Sequence, residues 1–540
     1  MPETSPSTPA SEALRPALLS ALARGYGGAE LRADLVAGLT VAIVALPLSM
    51  AIAIASGVGP ERGLYTAIVG GFLVSALGGS RFQIGGPAGA FIVLVAACVG
   101  QTGVAGLMLA TFLSGVMLAA LGLARLGSTI RFIPYPVTVG FTTGIGVIIF
   151  ASQIKEILGL TLAGPEPGPL LPKLGAILAA LGGLSPIALG VAAGTIAVIE
   201  AVKRLRPGWP SLLIGIAVVT AVSALAGLPV ETIGSRFGGL PRMLPAPALP
   251  DLGPQAIRAA LPYALSFTLL GAIESLLSAM VADGMTGERH RSNMELIAQG
   301  VANMGAAIFG GFCVTGTIAR TATNVRAGAR TPVAGMAHAG FVLAAMLVLA
   351  PLAVFIPLPA LGGLLAIVAW NMIERHEFAA LTRASRGDAL VLWVTFLMVI
   401  FRDVAEAIMV GFALGGLVFI RHMSEQSELR HEGQPSPGAP DGVAPQDPET
   451  ITYRLRGAVF FGSVARLGSV LERIAARPRE VRLDMTEVAF IDSTGARMIH
   501  QLAGQLARRG GALVITGASP ATRRALGAGS ADLRFDPPGA

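Results

Sequence analysis

The chain has 540 residues, of which 53% are hydrophobic and only 13% are charged, and its mean hydropathy is +0.70. This composition excludes an ordinary soluble protein and is typical of a bundle of membrane helices. The formal net charge of +7 comes from basic residues in short loops between apolar runs, which is a pattern of membrane topology. We therefore expect a lipid bilayer as the environment and no nucleic-acid partner.

The first 30 residues are rich in Ser, Pro and Ala and contain no apolar run followed by a cleavage site. We expect residues 1–30 to form a cytoplasmic segment without a removable signal peptide. The first membrane helix then serves for insertion.

Fourteen apolar segments follow, separated by charges or by clusters of Pro and Gly, and they define a transmembrane domain over residues 31–424. The first seven are approximately 35–56, 62–79, 86–100, 103–124, 132–153, 174–202 and 210–228. The second seven are approximately 258–281, 293–312, 315–328, 332–350, 354–372, 387–402 and 404–421. The sequence therefore predicts a mainly α-helical membrane protein.

Basic residues mark alternate loops between these segments, which predicts the orientation. With 14 spans, the following all face the cytoplasm, and so do both termini: Arg24, Arg32, Arg125, Arg131, Lys203, Arg204, Arg206, Arg289, Arg291, Arg326, Arg330, Arg375, Arg383, Arg386 and Arg421. A Pro-rich loop that contains Arg236, Arg242 and Arg258 is predicted to be external.

Segments three and ten are the shortest and begin at Gly- or Pro-rich clusters, 85–90 (GGPAGA) and 310–317 (GGFCVTGT). They occupy the third position of each set of seven. Interrupted helices at corresponding places in two halves indicate a transporter binding site. The alternative is close helix packing through glycine.

The composition becomes polar after residue 424, and residues 425–449 are predicted to be a linker with a Pro- and Gly-rich stretch at 433–448. Residues 450–540 predict a small α/β domain. Its strands are expected at 451–456, 458–461, 481–484 with 488–491, and 512–515, and its helices at 463–476, 493–508 and 520–526.

Ionisable residues inside membrane spans are costly and mark candidate functional sites. Glu274 lies in the middle of segment eight, and Ser278 follows one helical turn later on the same face. This carboxylate is suited to binding Na⁺ or carrying a coupling proton. The alternative is a structural carboxylate that neighbouring backbone N–H groups satisfy.

Arg320 lies within segment ten, and its planar guanidinium is suited to oxyanions. Helix starts near Pro87 and Thr315 each add backbone donors and roughly half a positive charge. We therefore predict an anion site formed by Arg320 with these helix starts, which include Ala88 and Gly89, and with nearby hydroxyls, namely Ser49, Thr315, Thr317, Thr321 and Thr323. The alternative is a structural ion pair between Arg320 and Glu274.

Several other classes of protein are disfavoured. The three lysines, Lys155, Lys173 and Lys203, do not follow a glycine, so the chain has no P-loop. The six histidines show no zinc-ligand spacing, and Cys98 and Cys313 both lie in apolar sequence. We expect a transporter rather than an enzyme, with no metal site and with no cofactor other than H⁺ or Na⁺ as a coupling ion.

Two motifs carry a family resemblance. The sequence AIAIASG at 51–57, followed by GLY at 63–65, resembles a first-span motif, and TGERH at 286–290, followed by SNMELIAQGVAN at 292–303, resembles a segment entering span nine. On these motifs the chain resembles the sulfate permease family, also called solute carrier family 26, over about residues 30–530.

The resemblance implies an inverted repeat of seven plus seven spans, of the kind shared with uracil permease. Spans 1–4 and 8–11 would form a core that carries the substrate, and spans 5–7 and 12–14 a gate, with the core moving like an elevator. Glu274 matches the family's acid in span eight and Arg320 a basic residue near its anion site. Gly316, Thr317 and Ile318 match backbone that lines substrate or Na⁺ in bicarbonate-carrying relatives.

Three positions depart from this resemblance. Leu48 stands where many relatives have Gln, Ile52 where an aromatic residue is frequent, and Ile318 where the sodium-dependent bicarbonate branch has a hydroxyl residue. These departures weaken the prediction of Na⁺ coupling and favour protons.

The C-terminal domain resembles a STAS domain, with the motif DSTG at 492–495 opening a helix. In soluble relatives the serine of this motif accepts phosphate, so Ser493 is a candidate regulatory residue. The alternative is that Ser493 is the helix N-cap. We also expect a homodimer in the inner membrane of a bacterium and a cytoplasmic protein partner for the STAS domain.

The predicted function is secondary-active transport of a small inorganic or carboxylic anion, namely bicarbonate, sulfate or a C4-dicarboxylate. One alternative is a nucleobase carrier on the same fold, although such permeases place a second carboxylate where this chain has Arg320. The other is a membrane sensor that signals through the STAS domain without transport.

Overall fold

The computed structural model describes residues 14–127, 134–164, 166–167, 170–402, 404–425, 428–431, 450–461, 463, 480–527 and 533–535. The chain divides into two compact units, Met1–Phe412 and Ala413–Ala540. The predicted Pro- and Gly-rich stretch at 433–448 and the predicted helix at 463–476, apart from Ser463, lie outside the described residues.

Helices dominate the part of the chain up to residue 425. In chain order they are α1 (Ala17–Ala23), α2 (Gly28–Ala55), α3 (Pro60–Tyr65), α4 (Gly71–Leu77), α5 (Ile92–Leu123), α6 (Tyr135–Leu158), α7 (Leu170–Ala180), α8 (Pro186–Leu205), α9 (Ser211–Leu225), α10 (Ile233–Phe237), α11 (Pro254–Thr286), α12 (Ser292–Ile308), α13 (Ile318–Arg326), α14 (Val333–Ala353), α15 (Leu358–Met372), α16 (Arg375–Ala384), α17 (Arg386–Phe401) and α18 (Val404–Glu425). A π-helical stretch, Thr66–Gly70, joins α3 to α4, and a 3₁₀ turn, Gly89–Phe91, leads into α5.

Seven helical stretches among the described residues are long and apolar enough to cross a membrane. They are Gly28–Ala55, Gly89–Leu123, Tyr135–Leu158, Pro186–Leu205, Pro254–Thr286, Val333–Ala353 and Glu406–Glu425. These confirm the mainly helical membrane class. The count of 14 spans stays a prediction.

The sixth predicted segment, 174–202, is wrong as a single helix, because the structure has α7 and α8 in its place. The 3₁₀ turn Leu181–Gly183 ends the first helix. Ser185 then caps the second by accepting a hydrogen bond from Ala188 N, and Pro186 occupies the first turn. Both residues are typical of a helix start, and the prediction missed this signal.

The predicted break between segments three and four is present. The helix Ile92–Leu123 is interrupted at Gly103, whose φ of 69° and ψ of −176° are not helical. A positive φ of this size is accessible mainly to glycine. The helix that starts at Gly89 therefore ends after about 14 residues, or roughly 21 Å at 1.5 Å per residue, which is shorter than a full span.

The starts of segments three and ten lie side by side. Strand β1 (Gly85–Gly86) pairs in antiparallel fashion with strand β2 (Thr315–Gly316), with Gly85 opposite Gly316 and Gly86 opposite Thr315. Each strand directly precedes a helix start, at Gly89 and Ile318. The two interrupted segments therefore begin at one point inside the helical unit.

Small residues allow close helix packing within the helical unit. A Cβ added to Gly115 in α5 would lie 2.6 Å from the Gly300 carbonyl oxygen, and one added to Gly300 in α12 would lie 2.6 Å from the Gly115 oxygen. The two backbones are thus in direct contact, which is the usual role of glycine between membrane helices.

The C-terminal unit contains a five-stranded sheet in the order β3–β4–β5–β6–β7. The strands are β3 (Glu428–His431), β4 (Thr450–Val459), β5 (Glu480–Ile491), β6 (Ala512–Thr516) and β7 (Arg534–Phe535). Only the β3–β4 pair is antiparallel, and helices α19 (Ser493–Arg508) and α20 (Pro520–Ala525) follow β5 and β6. The mixed sheet with these helices confirms an α/β domain.

Two details of this domain differ from the prediction. The strands predicted at 451–456 and 458–461 are one strand, β4, because the register shift at Gly457 bends it without ending it. The linker prediction for 425–449 is wrong at Glu428–His431, which pair with β4. This short polar edge strand lacks the apolar alternation that identifies strands in sequence.

Candidate functional site

Arg320 lies in the first turn of α13, and its side chain is buried, with 2% exposed. Its Nη2 donates to Ser49 Oγ at 3.1 Å and to the Pro87 carbonyl oxygen at 3.2 Å. Its Nε and Nη1 have no hydrogen-bond partner in the part of the chain that the structure describes. Since a guanidinium carries five N–H groups, this buried cation keeps several donors available for a ligand.

No carboxylate among the described residues pairs with Arg320. The alternative of a structural ion pair between Arg320 and Glu274 is therefore not what the structure contains. An unpaired buried charge is strongly unfavourable in a membrane protein unless an ion or ligand compensates it.

The start of segment three lies against this guanidinium. A Cβ added to Gly86 would come within 2.3 Å of Arg320 Nη1, so the backbone of β1 touches the cation. Ala88 is 7% exposed, and Gly89 is half-buried. A Cβ added to Gly89 would lie 3.2 Å from Met372 Sδ at the end of α15, which covers this helix start.

The start of α13, in contrast, is exposed. Thr317 is its N-cap residue, but the Thr317 side chain donates to the Ile84 carbonyl oxygen at 3.3 Å instead of capping the helix. Ile318 is 38% exposed. The first N–H groups of a helix have no intrahelical partner, so those of α13 remain available to an anion.

Glu274 lies in the middle of α11 and is 8% exposed. It forms no ion pair or hydrogen bond with the residues that the structure describes. Ser278, one turn later, is fully buried and donates to Thr321 Oγ1 at 3.0 Å, in the turn that follows Arg320. The hydroxyl of Ser278 therefore links α11 to α13 and is already engaged.

Ser275 is a residue that the sequence reasoning missed. Its Oγ lies 2.8 Å from Thr315 Oγ1 and accepts a hydrogen bond from Gly316 N at 3.2 Å, so it fixes β2 on α11. The four-residue spacing selected Ser278 as the neighbour of Glu274. Ser275 enters the site through the pairing of strands β1 and β2, and residue spacing along a single helix does not predict that pairing.

Two further acids are buried in the helical unit, but both are fully engaged. Asp34 accepts hydrogen bonds from Arg330 N, Thr331 N, Thr331 Oγ1 and Tyr26 OH at 2.5–3.3 Å. Glu295 accepts from Gly79 N, Ser80 N and Gln299 Nε2 at 2.9–3.0 Å. Each carboxylate ties its own helix to the end of another, which is a structural role.

Ser493 is exposed at the first position of α19. The N-cap is Asp492, whose Oδ1 accepts a hydrogen bond from Gly495 N at 2.7 Å and whose Oδ2 accepts one from Phe461 N at 3.1 Å. The alternative that Ser493 caps this helix is therefore wrong. Aspartate and serine are equally good caps, so the sequence alone did not separate them.

Within the described ranges, no group of three or more His, Cys, Asp or Glu side chains is placed to hold a metal ion. The candidate site therefore consists of one guanidinium, two helix starts and several hydroxyls, with a lone carboxylate on the adjacent helix.

The profile of the sulfate permease family matches residues 31–395, and that of the STAS domain matches residues 443–535. The "Putative sulfate transporter YvdB" of Bacillus subtilis is 39% identical over 92% of this chain and 93% of its own length. The bicarbonate transporter BicA of Picosynechococcus is 28% identical over 92% of this chain and 90% of its own length.

Two solved structures are also similar. That of murine solute carrier 26 family member A9, described as an anion transporter in the inward-facing state, has a TM-score of 0.84 at 20% identity and covers 98% of this chain and 92% of its own. The transmembrane domain of a cyanobacterial BicA has a TM-score of 0.63 at 28% identity and covers 72% of this chain and 98% of its own. The chain belongs to the sulfate permease family of multi-pass membrane transporters, which are not enzymes, and carries a C-terminal STAS domain.

Proposed function

We propose that this protein is a secondary-active carrier of a small oxyanion or carboxylate, with sulfate, bicarbonate and C4-dicarboxylates as the candidate substrates. The observation that carries the proposal is Arg320, a buried guanidinium at the meeting point of two helix starts that pairs with no carboxylate of the described ranges. Relatives named as sulfate and bicarbonate transporters support the same substrate class.

The anion would lie between the starts at Gly89 and Ile318. There it receives hydrogen bonds from the free Arg320 nitrogens and from backbone N–H groups, and Ser49 holds the guanidinium from behind. Charge-assisted donors of this kind bind oxyanions tightly in a site that excludes water. A neutral nucleobase would leave the positive charge of Arg320 uncompensated, so no observation favours the nucleobase alternative.

Glu274 is proposed as the coupling residue. A carboxylate without a cationic partner among the described residues is compensated when it binds a proton or Na⁺, and this compensation can accompany anion entry. Ile318 supplies no side-chain oxygen at the position where the sodium-dependent branch has a hydroxyl residue, so one possible ligand for Na⁺ is missing. We therefore favour a proton.

We further propose that the core moves against the gate like an elevator within a 14-span homodimer. Helix packing supports this division, because α5 packs on α11 and α12 and α2 packs on α14, whereas α6 packs on α15 and α17. Met372 of α15 covers Gly89 across the proposed boundary, so substrate release requires this contact to open.

Uptake of labelled sulfate, bicarbonate and succinate into proteoliposomes tests the proposal. We expect wild-type protein to take up at least one anion and Arg320→Ala to lose uptake, because the anion loses its buried cation. Arg326→Ala is the matched control, since Arg326 is exposed at the other end of α13. Uptake by Arg320→Ala at the wild-type rate, or competition by uracil but by no anion, would contradict the proposal.

A further inference from the structure

A cavity of about 640 Å³ lies away from Arg320, between helices assigned above to the core and to the gate. Residues of α2, α5 and α11 line one side, and residues of α6 and α15 line the other. Along α5 the lining runs from Ile92 to Gln101. It therefore begins one helical turn beyond Gly89 and continues for about 14 Å along the helix axis.

Two of the three lysines in the chain lie at this cavity. Lys173 is buried, with 6% exposed, although lysine is almost never fully buried unless it is paired. Lys155 follows from α6 and is half-buried. The third lysine, Lys203, is exposed on α8 and pairs with Glu200 of the same helix at 3.5 Å.

A single carboxylate bridges the two ammonium groups. Glu166 Oε1 lies 2.8 Å from Lys173 Nζ, and Glu166 Oε2 lies 3.1 Å from Lys155 Nζ. Lys173 Nζ also donates to Ser152 Oγ at 2.5 Å. The Glu166 carboxylate thus occupies a position with two cationic donors, an arrangement that fits any small oxyanion or carboxylate.

The other carboxylates near the two lysines are held by a different cation. Glu156 lies 3.4 Å from Lys155 but is also held by Arg236 Nη1 at 2.8 Å, and Arg236 pairs with Glu231 as well. Among the described residues, Glu166 is the one carboxylate that pairs with Lys173. Burial acts to raise the pKa of Glu166, but Lys173 and Lys155 outweigh it and hold that pKa below its ordinary value. Glu166 is therefore an anion at neutral pH.

The position of the cavity relates the two lysines to the path of the transported anion. In the predicted orientation, α6 ends on the external side, so the two lysines lie at the outer end of the cleft between core and gate. An external anion that moves along α5 toward Gly89 passes them first. Lysine heads on flexible stems bind anions as point charges and release them readily.

We propose that Lys155 and Lys173 form a second, outer anion-binding site, and that Glu166 is a tethered competitor which an incoming oxyanion or carboxylate displaces. The ligand class rests on the proposed transport function, whereas the site itself rests on the two lysines and the carboxylate between them. Displacement exchanges one anion for another on the same donors while the Glu166 carboxylate moves into solvent. A monovalent anion then leaves the charge at the two lysines unchanged, and a divalent anion neutralises both of them.

Lysine-selective acetylation of the full-length protein in nanodiscs tests the site, because mass spectrometry can follow each of only three lysines. Glu166→Gln keeps the side-chain shape and removes the competing charge. In this variant we expect acetylation of Lys155 and Lys173 to rise several-fold, and sulfate, bicarbonate or succinate at constant ionic strength to restore protection. Acetylation of Lys203 should not change with these anions in any variant. Glu200→Gln is the matched control, because it removes the carboxylate that pairs with Lys203.

The proposal is overturned if none of the three anions protects Lys155 and Lys173 in the Glu166→Gln protein. It is also overturned if protection disappears in Glu166→Gln/Arg320→Ala, because the lysines would then report only on binding at Arg320. Protection that persists in protein without any anion uptake would refute the proposed function and leave the outer site standing.

A kinetic measurement adds a second readout. In proteoliposomes with the anion supplied at the external face, Glu166→Gln is expected to lower the KM for uptake several-fold without a matching change in the maximal rate. Lys173→Met is expected to raise the KM, and Glu200→Gln to leave it unchanged. An unaltered KM in both cavity variants would contradict the proposed competition.

Discussion

Two sets of buried charges in the helical unit have opposite surroundings. Asp34 and Glu295 each accept three or more hydrogen bonds, two of which come from backbone N–H groups near the end of another helix. Arg320 keeps two nitrogens without partners, and Glu274 has no partner among the described residues. All four side chains are at least nine-tenths buried.

This difference shows that burial of a charge does not by itself indicate function. A buried carboxylate whose hydrogen bonds are satisfied stabilises the fold, and its removal leaves orphaned donors. A buried charge with unsatisfied groups destabilises the empty protein and is kept for a ligand or a coupling ion. The comparison therefore predicts that substitutions in the first set mainly lower the stability of the protein, whereas those in the second set mainly impair anion binding or coupling.

The largest loss of stability is expected for Asp34→Ala. It leaves Arg330 N and Thr331 N without their acceptor, at roughly 1–3 kcal/mol for each buried donor. We expect the unfolding temperature of the detergent-purified protein to fall by many degrees, with a smaller fall for Asp34→Asn, which keeps one acceptor oxygen. Asp251→Ala is the control, because Asp251 is exposed and its one hydrogen bond with the described residues comes from Gly253 N, two positions away. An unchanged unfolding temperature for Asp34→Ala would break the comparison.

The sequence predicted the central elements of the site because their signals are local. Glycine and proline clusters mark the starts of segments three and ten, and Arg320 and Glu274 are rare charges within apolar runs. The roles of Asp34 and Glu295 were missed because their partners lie far away in sequence, at residues 330–331 and 79–80. Only the folded structure distinguishes a satisfied charge from an unsatisfied one.

Glu274→Gln is expected to separate coupling from anion binding. The amide cannot carry a proton or neutralise a cation, so accumulation of anion against its gradient should be lost. Exchange of internal for external anion should continue, because Arg320 is intact. Parallel measurements of accumulation and counterflow at two pH values check this. Accumulation that keeps its wild-type dependence on pH would contradict the role of Glu274.

Gly86→Ala is expected to have an intermediate effect. Its Cβ would lie 2.3 Å from Arg320 Nη1, so the guanidinium must shift away from the helix starts. We expect the affinity for the transported anion to fall about tenfold, equivalent to about 1.4 kcal/mol. Gly194→Ala is the control, because a Cβ there meets no atom within 4 Å. Equal affinities in the two variants would show that Arg320 is not confined as described.

The smallest effect is expected in the STAS domain, where Asp492 and Ser493 offer the same contrast. Asp492→Ala removes the helix cap and should destabilise the domain by about 1 kcal/mol. Ser493→Ala removes an exposed hydroxyl without a capping role and should stay within roughly 0.5 kcal/mol of wild type. Chemical denaturation of the full-length protein, followed by a probe in this domain, compares them. The reverse order would restore Ser493 as the cap.

The most direct test of the central claim is equilibrium binding of the labelled transported anion to protein with and without Arg320→Met. Lys155→Met and Lys173→Met in both samples remove the outer lysines from the measurement. The account predicts saturable binding with Arg320 present and its loss with Met, at an unfolding temperature that is equal or higher. Saturable binding of unchanged affinity in the Arg320→Met protein would contradict the claim that this guanidinium holds the anion.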